Sequence, residues 1–231
     1  NVTVEQVYNS FSLGIGKDGL AGYPLISAYL TGKELKLAAE VDASVSDFMT
    51  TARLYCSGLN FTFNPHRMIL NKVTDCYLTR EDGERIEIQD DQLYRVVTDL
   101  YTGQMLGSVM EMSYGLLKIE PKDKDGNPIE NLEDQAIMEG DKELKAWDAI
   151  ARYMKSFDDT DGNGISNVPE YYETTHGRKV VDESRNVIDL VKNPNKFSVM
   201  IVGIVLVLIL IIILLVVLIR KLIKKRRRKK K

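Results

Sequence analysis

The sequence predicts an α+β fold, a mixed sheet with packed helices, followed by a single C-terminal transmembrane helix. Three observations predict this organisation. Helix-like and strand-like stretches alternate over residues 1–157, an unbroken apolar run covers residues 197–219, and a dense basic tail covers residues 220–231. No sequence repeat is visible, and the part that precedes the apolar run is long enough for one sizeable core or for one domain plus an appendage.

Four stretches of the first part are predicted as helices. In the first stretch Leu35, Ala38 and Ala39 fall on one face, and in the last stretch Leu144 and Trp147 begin a repeat at helical spacing. The predicted helices cover residues 32–40, 44–51, 105–114 and 141–157.

Strands are predicted where short apolar runs are bounded by turn residues. The turn at residues 81–84 separates two of them, and the polar segment 122–128 is predicted as a further turn. The predicted strands cover residues 77–78, 85–88, 93–97 and 116–119.

The apolar run at residues 197–219 is long enough to cross a membrane. As a helix its 23 residues would extend about 34 Å, against a hydrocarbon core of about 30 Å. No charged residue interrupts the run, which favours an anchor over an ion path. The tail at residues 220–231 contains ten Lys or Arg and no acidic residue. The positive-inside rule therefore predicts a cytoplasmic tail, a single-pass protein of the cell membrane and an ectodomain outside the cytoplasm.

Charge is distributed very unevenly along the chain. The whole sequence contains 31 Lys or Arg and 33 Asp or Glu, but the tail holds ten of the basic residues. The part outside the tail is therefore strongly acidic, which argues against nucleic-acid binding there. The expected partner of the tail and the apolar run is the lipid bilayer.

The sequence begins at Asn1 with neither an initiator methionine nor a signal peptide. A domain outside the cytoplasm needs an export signal. We therefore expect this sequence to be the C-terminal part of a longer precursor.

The two cysteines, Cys56 and Cys76, flank a hairpin-like stretch at residues 59–70. The Asn64-Pro65 turn signal separates two apolar runs, so the cysteines would face each other across a strand pair. An extracytoplasmic setting permits a disulfide between them. The alternative is two small buried thiols on neighbouring strands.

A candidate calcium loop follows the last predicted helix, at residues 159–170. Oxygen side chains at alternate positions, a glycine at the sixth and a carboxylate at the twelfth are what an EF-hand-type loop needs. The candidate ligands are the side chains of Asp159, Asp161, Asn163 and Glu170, the backbone oxygen of Ile165, and Asn167 directly or through water. The alternative is a polar turn that closes the helix. Residues 158–177 are therefore predicted as a calcium-loop segment, and residues 178–196 as a juxtamembrane stalk.

Four strings in the first 120 residues resemble one known family. They are VYNSFSLG at 7–14, GYPLISAYLTGKEL at 22–35, CSGLNFTF at 56–63 and YRVVT at 94–98. In this order and at these separations they resemble the C-terminal domain of the 5'-nucleotidase and UDP-sugar hydrolase family. The resemblance implies a 5'-nucleotidase C-terminal-like domain over residues 1–157.

The resemblance also implies a function. Such a domain recognises the substrate and is normally preceded by a phosphoesterase domain that hydrolyses it with a divalent metal pair. The expected partner is thus an upstream catalytic domain, and the expected ligand is a nucleotide or another phosphate ester. The chain has only two histidines, His66 and His176, so no catalytic residue is assigned here and the metal pair is expected upstream.

The resemblance suggests where a substrate would bind. Family members that hold a nucleobase stack it between two phenylalanines, and the matching positions here are Leu13, beside Gly14, and Val109. Tyr101 or Phe11 would substitute for the missing rings unless they belong to the core. The candidate substrate-binding residues are therefore Leu13, Gly14, Tyr101 and Val109.

Two functions follow from these observations. The first is the substrate-recognition domain of a membrane-anchored, extracytoplasmic 5'-nucleotidase-type phosphoesterase. The second is a non-catalytic surface adhesion or scaffold module, which the absence of both stacking phenylalanines favours. The glycine-rich segment 14–22 fits neither a P-loop nor a dinucleotide fingerprint, because no GK[ST] ends it, and it is predicted as a loop.

Overall fold

The computed structural model describes residues 2–46, 53–113, 115 and 117–229, without the side chains of residues 109, 111, 112 and 226–229. The chain divides into two compact units. Unit 1 comprises Asn1–Ala39, Cys56–Asn60 and Cys76–Lys179, and unit 2 comprises Glu40–Tyr55, Phe61–Asp75 and Val180–Lys231.

Helices and strands are mixed along the chain, as the sequence predicts. The helices are α1 (Val4–Phe11), α2 (Gly32–Val45), α3 (Leu100–Met112), α4 (Ala146–Lys155), α5 (Val187–Val191) and α6 (Lys196–Lys229). The strands are β1 (Leu25–Thr31), β2 (Leu59–Phe63), β3 (Val73–Thr79), β4 (Arg85–Glu87), β5 (Leu93–Asp99), β6 (Met138–Glu139), β7 (Lys142–Glu143) and β8 (Lys179–Val181). Their orders in the sheets are β1-β5, β4-β3-β2-β8 and β6-β7.

The core of unit 1 is built on the antiparallel pair of β1 and β5. All seven residues of β1 pair with β5, from Leu25 opposite Asp99 to Thr31 opposite Leu93. Alternate residues of β1 are buried, and Ile26 is only 1% exposed. This alternation is the pattern of a strand with one face in a core.

Helix α2 begins with a capping box, which explains the TGKEL string. The Thr31 hydroxyl accepts from the Glu34 amide at 3.3 Å, and the Glu34 carboxylate accepts from the Thr31 amide at 2.8 Å. A Cβ at Gly32 would lie 2.1 Å from the backbone oxygen of Gln89, so this position excludes a side chain. The Lys122 ammonium lies 2.6 Å from Glu34. Burial raises the pKa of Glu34, but the hydrogen bonds from Lys122 and Thr31 outweigh it and hold that pKa below its usual value.

Several predicted elements are confirmed within a few residues. Strands β3 and β4 flank the turn at 81–84, with Tyr77 opposite Glu87. Strand β5 includes the predicted 93–97, and α3 includes 105–112 but begins earlier, at Leu100. Helix α2 covers all of the predicted helix 32–40 and continues to Val45, so it includes the first two residues of the predicted helix 44–51. Residues 47–52 lie outside the described residues.

Three predicted elements are wrong. Residues 117–119 form no strand, although Leu117 and Ile119 are buried. The helix predicted over 141–157 begins only at Ala146, because residues 142–143 pair with β6. The second half of the hairpin predicted at 59–70 is not a strand, since residues 64–72 form a loop and β3 starts at Val73.

That loop, residues 64–72, is held inside unit 2 by polar contacts. The Asn64 side chain donates to the backbone oxygen of Ser184 at 2.7 Å. The Glu40 carboxylate accepts from the amides of Lys72 and Val73, both at 2.9 Å. Burial raises the pKa of Glu40 to about 7, although these amides lower it.

Candidate functional site

Unit 1 contains an open cleft of about 620 Å³ with an aromatic lining. Its walls come from the end of α1, the start of β1, the junction of β5 and α3, and one face of α4. Four aromatic side chains line it: Phe11, Tyr23, Tyr101 and Tyr153. Clefts of this size and lining are typical of small-molecule sites.

Strand register brings two of these rings together. Leu25 pairs with Asp99, and the Leu100 amide donates to the backbone oxygen of Pro24 at 2.9 Å. Tyr23 and Tyr101 therefore lie side by side just beyond the paired strands, with ring centroids 5.8 Å apart and planes at 30°. The result is a tilted aromatic pair on one wall of the cleft.

Asp99 fixes the position of Tyr101 at the start of α3. Its carboxylate accepts from the Thr102 amide at 2.9 Å and from the Thr102 hydroxyl at 2.6 Å. The first of these bonds satisfies one of the amide groups that the first turn of a helix leaves unpaired. The cap therefore holds the first turn of α3 at the edge of the cleft.

Gly14 lies directly behind this aromatic wall. Its φ is +83°, and a Cβ there would lie 2.5 Å from the Tyr23 ring. Any side chain at residue 14 would strain the backbone and displace Tyr23.

The glycine-rich segment 14–22 is a small hairpin, which agrees with the prediction of a loop. Its amides are used internally or by neighbouring carboxylates: Gly22 donates to Gly14 at 2.9 Å, and Lys17 donates to Glu143 at 3.1 Å. Such amides do not converge on a phosphate as those of a P-loop do.

A buried ion cluster pins this hairpin. The Lys145 ammonium lies 2.8 Å from Asp18 and 2.6 Å from Glu143, and all three side chains are almost fully buried. The hydrogen bond from Lys145 lowers the pKa of Asp18 to about 2. Burial lowers the pKa of Lys145, but its two carboxylate partners outweigh burial and raise it. The rim of the cleft at Leu13 and Gly14 is thus attached to a rigid hairpin.

The structure brings together most of the predicted substrate-binding residues. Leu13, Tyr101 and Phe11 line the same cleft, and each is well exposed, so none is a core residue. Gly14 supports Tyr23 from behind. The side chain of Val109 lies outside the described residues.

Two of the four aromatic lining residues were not predicted. Tyr153 stands on a stripe of α4 with Ala146, Ala149 and Ile150, a spacing that is visible in the sequence. Tyr23 carries no such local signal, because only the pairing of β1 with β5 puts it beside Tyr101.

The candidate calcium loop is a tight turn with inward carboxylates. The Asp159 carboxylate accepts from the amides of Gly162 at 2.8 Å, Asn163 at 3.2 Å and Gly164 at 2.7 Å. These bonds, the one from Gly164 above all, lower the pKa of Asp159. Within the described residues no group of three or more His, Cys, Asp or Glu is arranged to hold a metal. The calcium site therefore stays a prediction.

The predicted disulfide also stays a prediction. Both cysteines are half-buried in unit 1. The Thr79 amide donates to the backbone oxygen of Gly58 at 2.7 Å, so Thr79 is the residue that pairs with Gly58. Cys76 precedes Thr79 by three residues. Cys56 and Cys76 are therefore not opposite each other in the strand pair, as the hairpin prediction assumed.

In the described part of the chain, one helix is long and apolar enough to cross a membrane. It covers Lys196–Lys225 of α6 and has a mean hydropathy of 3.9 in its most apolar window.

Comparisons with known proteins agree with the fold and the resemblance. A family model described as 5'-nucleotidase, C-terminal domain matches residues 1–112. The crystal structure of a 5'-nucleotidase precursor from Thermus thermophilus superposes with a TM-score of 0.51 and 18% identity, over 79% of this chain and 28% of that chain. The Haemophilus influenzae NAD nucleotidase (NadN) aligns at a TM-score of 0.37 and 22% identity, over 53% of this chain and 21% of that one.

No curated protein sequence matches the chain. The chain spans less than a third of each of the two solved nucleotidases. The predicted α+β fold class and the predicted family resemblance are both confirmed. Residues 1–112 of this chain match the family model of the 5'-nucleotidase C-terminal domain, the family that the sequence resembles.

Proposed function

We propose that this chain is the substrate-recognition part of a membrane-anchored 5'-nucleotidase-type phosphoesterase, and that its aromatic cleft receives the flat ring of a nucleotide. The observation that carries the proposal is the cleft itself, which Tyr23, Tyr101, Phe11 and Leu13 line within the residues that match the 5'-nucleotidase C-terminal domain. Aromatic rings stack favourably on planar ligands. Tyr23 and Tyr101 would then stack on the base in place of the two phenylalanines that are replaced here by Leu13 and Val109.

Binding of adenosine monophosphate to the full chain tests this proposal. We expect measurable binding by calorimetry, and no binding of ribose 5-phosphate, which lacks the base. Tyr101→Ala should weaken binding about tenfold, equivalent to roughly 1.4 kcal/mol, through loss of stacking. Tyr171→Ala, which removes an exposed tyrosine outside the cleft, is the matched control. Equal nucleotide binding by Tyr101→Ala and Tyr171→Ala would contradict the proposal that the cleft receives the nucleotide.

A pair of glycine variants tests the aromatic wall separately. Gly14→Ala should displace Tyr23 and weaken nucleotide binding. Gly19→Ala places a side chain at a similar φ, +75°, where no described atom lies within 4 Å. It therefore shares the backbone strain but not the clash, and binding should be preserved. No binding by the unmodified chain would favour the alternative function, a surface adhesion or scaffold module.

Hydrolysis is assigned to a catalytic domain upstream of this chain in the complete protein, with its own divalent metal pair. The coverage of only 28% of the Thermus thermophilus precursor supports this assignment. The coding sequence upstream of Asn1 provides the test. A metallophosphoesterase domain there supports the proposal, and adhesion repeats contradict it.

Helix α6 is the proposed anchor, with the acidic region outside the cytoplasm and the basic tail inside. The length and hydropathy of Lys196–Lys225 and the ten basic residues at 220–231 support this topology. Protease added to intact cells should remove the region before α6 and spare an epitope fused after Lys231. Protection of both would contradict the topology.

Calcium at residues 159–170 completes the proposed function as a structural ion. The donor set fits a hard cation, because carboxylate, amide and backbone oxygens are the ligands that calcium prefers. Asp159, Asp161, Asn163 and Glu170 would supply side chains, Ile165 its backbone oxygen, and Asn167 an oxygen or a bound water. The amides that hold Asp159 keep its carboxylate in place before any ion arrives.

A further inference from the structure

The segment that leads into helix α6 is folded onto the loop at residues 64–72, all within unit 2. The buried Arg67 guanidinium donates to the backbone oxygens of Asp189 and Lys192, both at 2.6 Å, and to that of Asn71 at 2.7 Å. Because a guanidinium offers several fixed donors, this one side chain binds three backbone oxygens, one in the loop and two in the segment that leads into α6. The segment predicted as a stalk thus contains β8 and α5 and is packed where it meets α6.

Asn195 continues this connection into the first turn of α6. Its side-chain oxygen accepts from the amides of Phe197 at 3.0 Å and Ser198 at 3.1 Å and so caps the helix. Its own amide donates to the Asn71 side chain at 3.2 Å, and its side-chain nitrogen donates to the backbone oxygen of Leu70. Phe197 and Ser198 are buried by these contacts. Loop 64–72, α5 and the start of α6 are therefore one rigid assembly.

This assembly exposes apolar side chains around the start of α6. They come from the loop and from α5, and together we call them the apolar collar: Met68, Ile69, Val187, Ile188 and Val191. A groove of about 280 Å³ runs between the collar and α6, with Met68 and Val191 on one side and Val202 on the other. The Ser198 hydroxyl lies in the groove, buried and without a hydrogen-bond partner among the described residues.

The position of Val202 sets the depth of this groove. Val202 is five residues beyond Phe197, which is about 7.5 Å along a helix. The apolar run is only about 4 Å longer than a typical hydrocarbon core, so a helix centred in the bilayer places Val202 inside the hydrocarbon. Side chains that share a groove with Val202 must then lie at or below the membrane surface.

We propose that the apolar collar is inserted into the outer leaflet and that a phospholipid acyl chain occupies the groove. This inference rests on the proposed membrane anchoring by α6. The collar is continuous with the membrane-spanning surface of that helix, and its residues are apolar where a surface facing water would be polar. A lipid ester oxygen at this depth would also provide the partner that the buried Ser198 hydroxyl lacks.

Tryptophan quenching in phosphatidylcholine vesicles tests the inference with the full chain. Val191→Trp reports on the collar, and Leu208→Trp reports on the middle of the apolar run at residues 197–219. Val181→Trp is the matched control, because Val181 is also in unit 2 and comparably exposed (52%, against 66% for Val191) but precedes Asp182 and Glu183. The chain has a single tryptophan, Trp147, so the signal of the unmodified protein is subtracted.

We expect lipids brominated near the carboxyl end of the acyl chain to quench Val191→Trp strongly and Val181→Trp little. Lipids brominated near the methyl end should quench Leu208→Trp most. Quenching of Leu208→Trp without quenching of Val191→Trp would overturn the collar while α6 remains an anchor. An unquenched Leu208→Trp would overturn the anchor and the collar with it. Burial of the indole of Val191→Trp against a second copy, detected as protein-dependent protection from lipid quenching, would also overturn the inference.

Discussion

Two loops of unit 1 share the pentapeptide D-x-D-G-N. It occupies residues 123–127 and again residues 159–163. In both loops the first aspartate accepts hydrogen bonds from backbone amides that follow it: Asp123 accepts two at 2.9 Å, and Asp159 accepts three at 2.7 to 3.2 Å. Only the bond from the fifth residue of the pentapeptide, Asn127 or Asn163, is common to both loops, so the pentapeptide favours a turn at its first aspartate without fixing the form of that turn.

The two loops differ in what lies beside and after the pentapeptide. The first is closed by a backbone bridge between Lys122 and Pro128, and its Asp125 lies 2.9 Å from the Lys124 ammonium. The second continues through Gly164 to a glutamate at the twelfth position. Among the described residues no Lys or Arg pairs with its aspartates. A carboxylate loop that has its own cation is complete, whereas one that has only amide partners is suited to an external cation.

Asp18 is the extreme case of a loop carboxylate with its own cation, because its partner Lys145 is buried. Lys145→Met leaves Asp18 and Glu143 buried without a counter-charge, and we expect a loss of about 3 kcal/mol in the free energy of unfolding. Urea unfolding of the detergent-solubilised chain measures this loss. Lys17→Met, which removes an exposed partner of Asp134, is the control and should change little. If Lys145→Met and Lys17→Met lose the same free energy of unfolding, burial of the ion pair does not determine its contribution to stability.

The second loop should bind calcium, and the first should not. At a calcium concentration ten times the dissociation constant, binding raises the free energy of unfolding by about 1.4 kcal/mol. We expect the thermal midpoint to rise in millimolar calcium, the range of extracellular sites. Asp161→Ala should abolish the rise, and Asp125→Ala, at the same position of the first pentapeptide, should preserve it. If the calcium-induced rise in the thermal midpoint persists in Asp161→Ala, residues 159–170 are a turn and not a calcium site.

Acid titration should give the smallest effect. The Asn127 side chain lowers the pKa of Asp123, and the Gly164 amide lowers that of Asp159. A lowered pKa stabilises the fold above the unfolded value of about 3.9 and loses that contribution as the pH falls. Carboxyl NMR should find both groups titrating below the ordinary range, and calcium should shift only Asp159 further down. A calcium-induced shift of Asp123 would contradict the distinction between the loops.

Local signals predicted the elements whose structure depends mainly on neighbours in sequence. The turn at 81–84 and strand β5 were predicted because turn residues and short apolar runs adjoin each other. The burial of Leu117 and Ile119 was also implied by their apolar character, but not their irregular backbone. Residues 142–143 look helical in composition, but they pair with β6 and form a strand. The sequence pattern around them gives no sign of this pairing.

The candidate cleft was predictable only in part, for a related reason. Leu13 and Tyr101 were predicted from a family resemblance, and the stripe on α4 that carries Tyr153 was legible in the sequence. Tyr23 was not, because its place beside Tyr101 follows from a pairing between segments about 70 residues apart. The same limit applied to Lys145, because its carboxylate partner Asp18 is distant in sequence, although Glu143 is only two residues away.

If α6 is the membrane anchor proposed above, the Arg67 and Asn195 contacts couple its tilt to the loop at residues 64–72. A helix whose apolar run exceeds the thickness of the bilayer relieves the mismatch by tilting. Since the first turn of α6 is hydrogen-bonded to loop 64–72, that loop cannot keep its orientation while the helix leans. Under that proposal, the thickness of the membrane would set the angle between the bilayer and this part of unit 2.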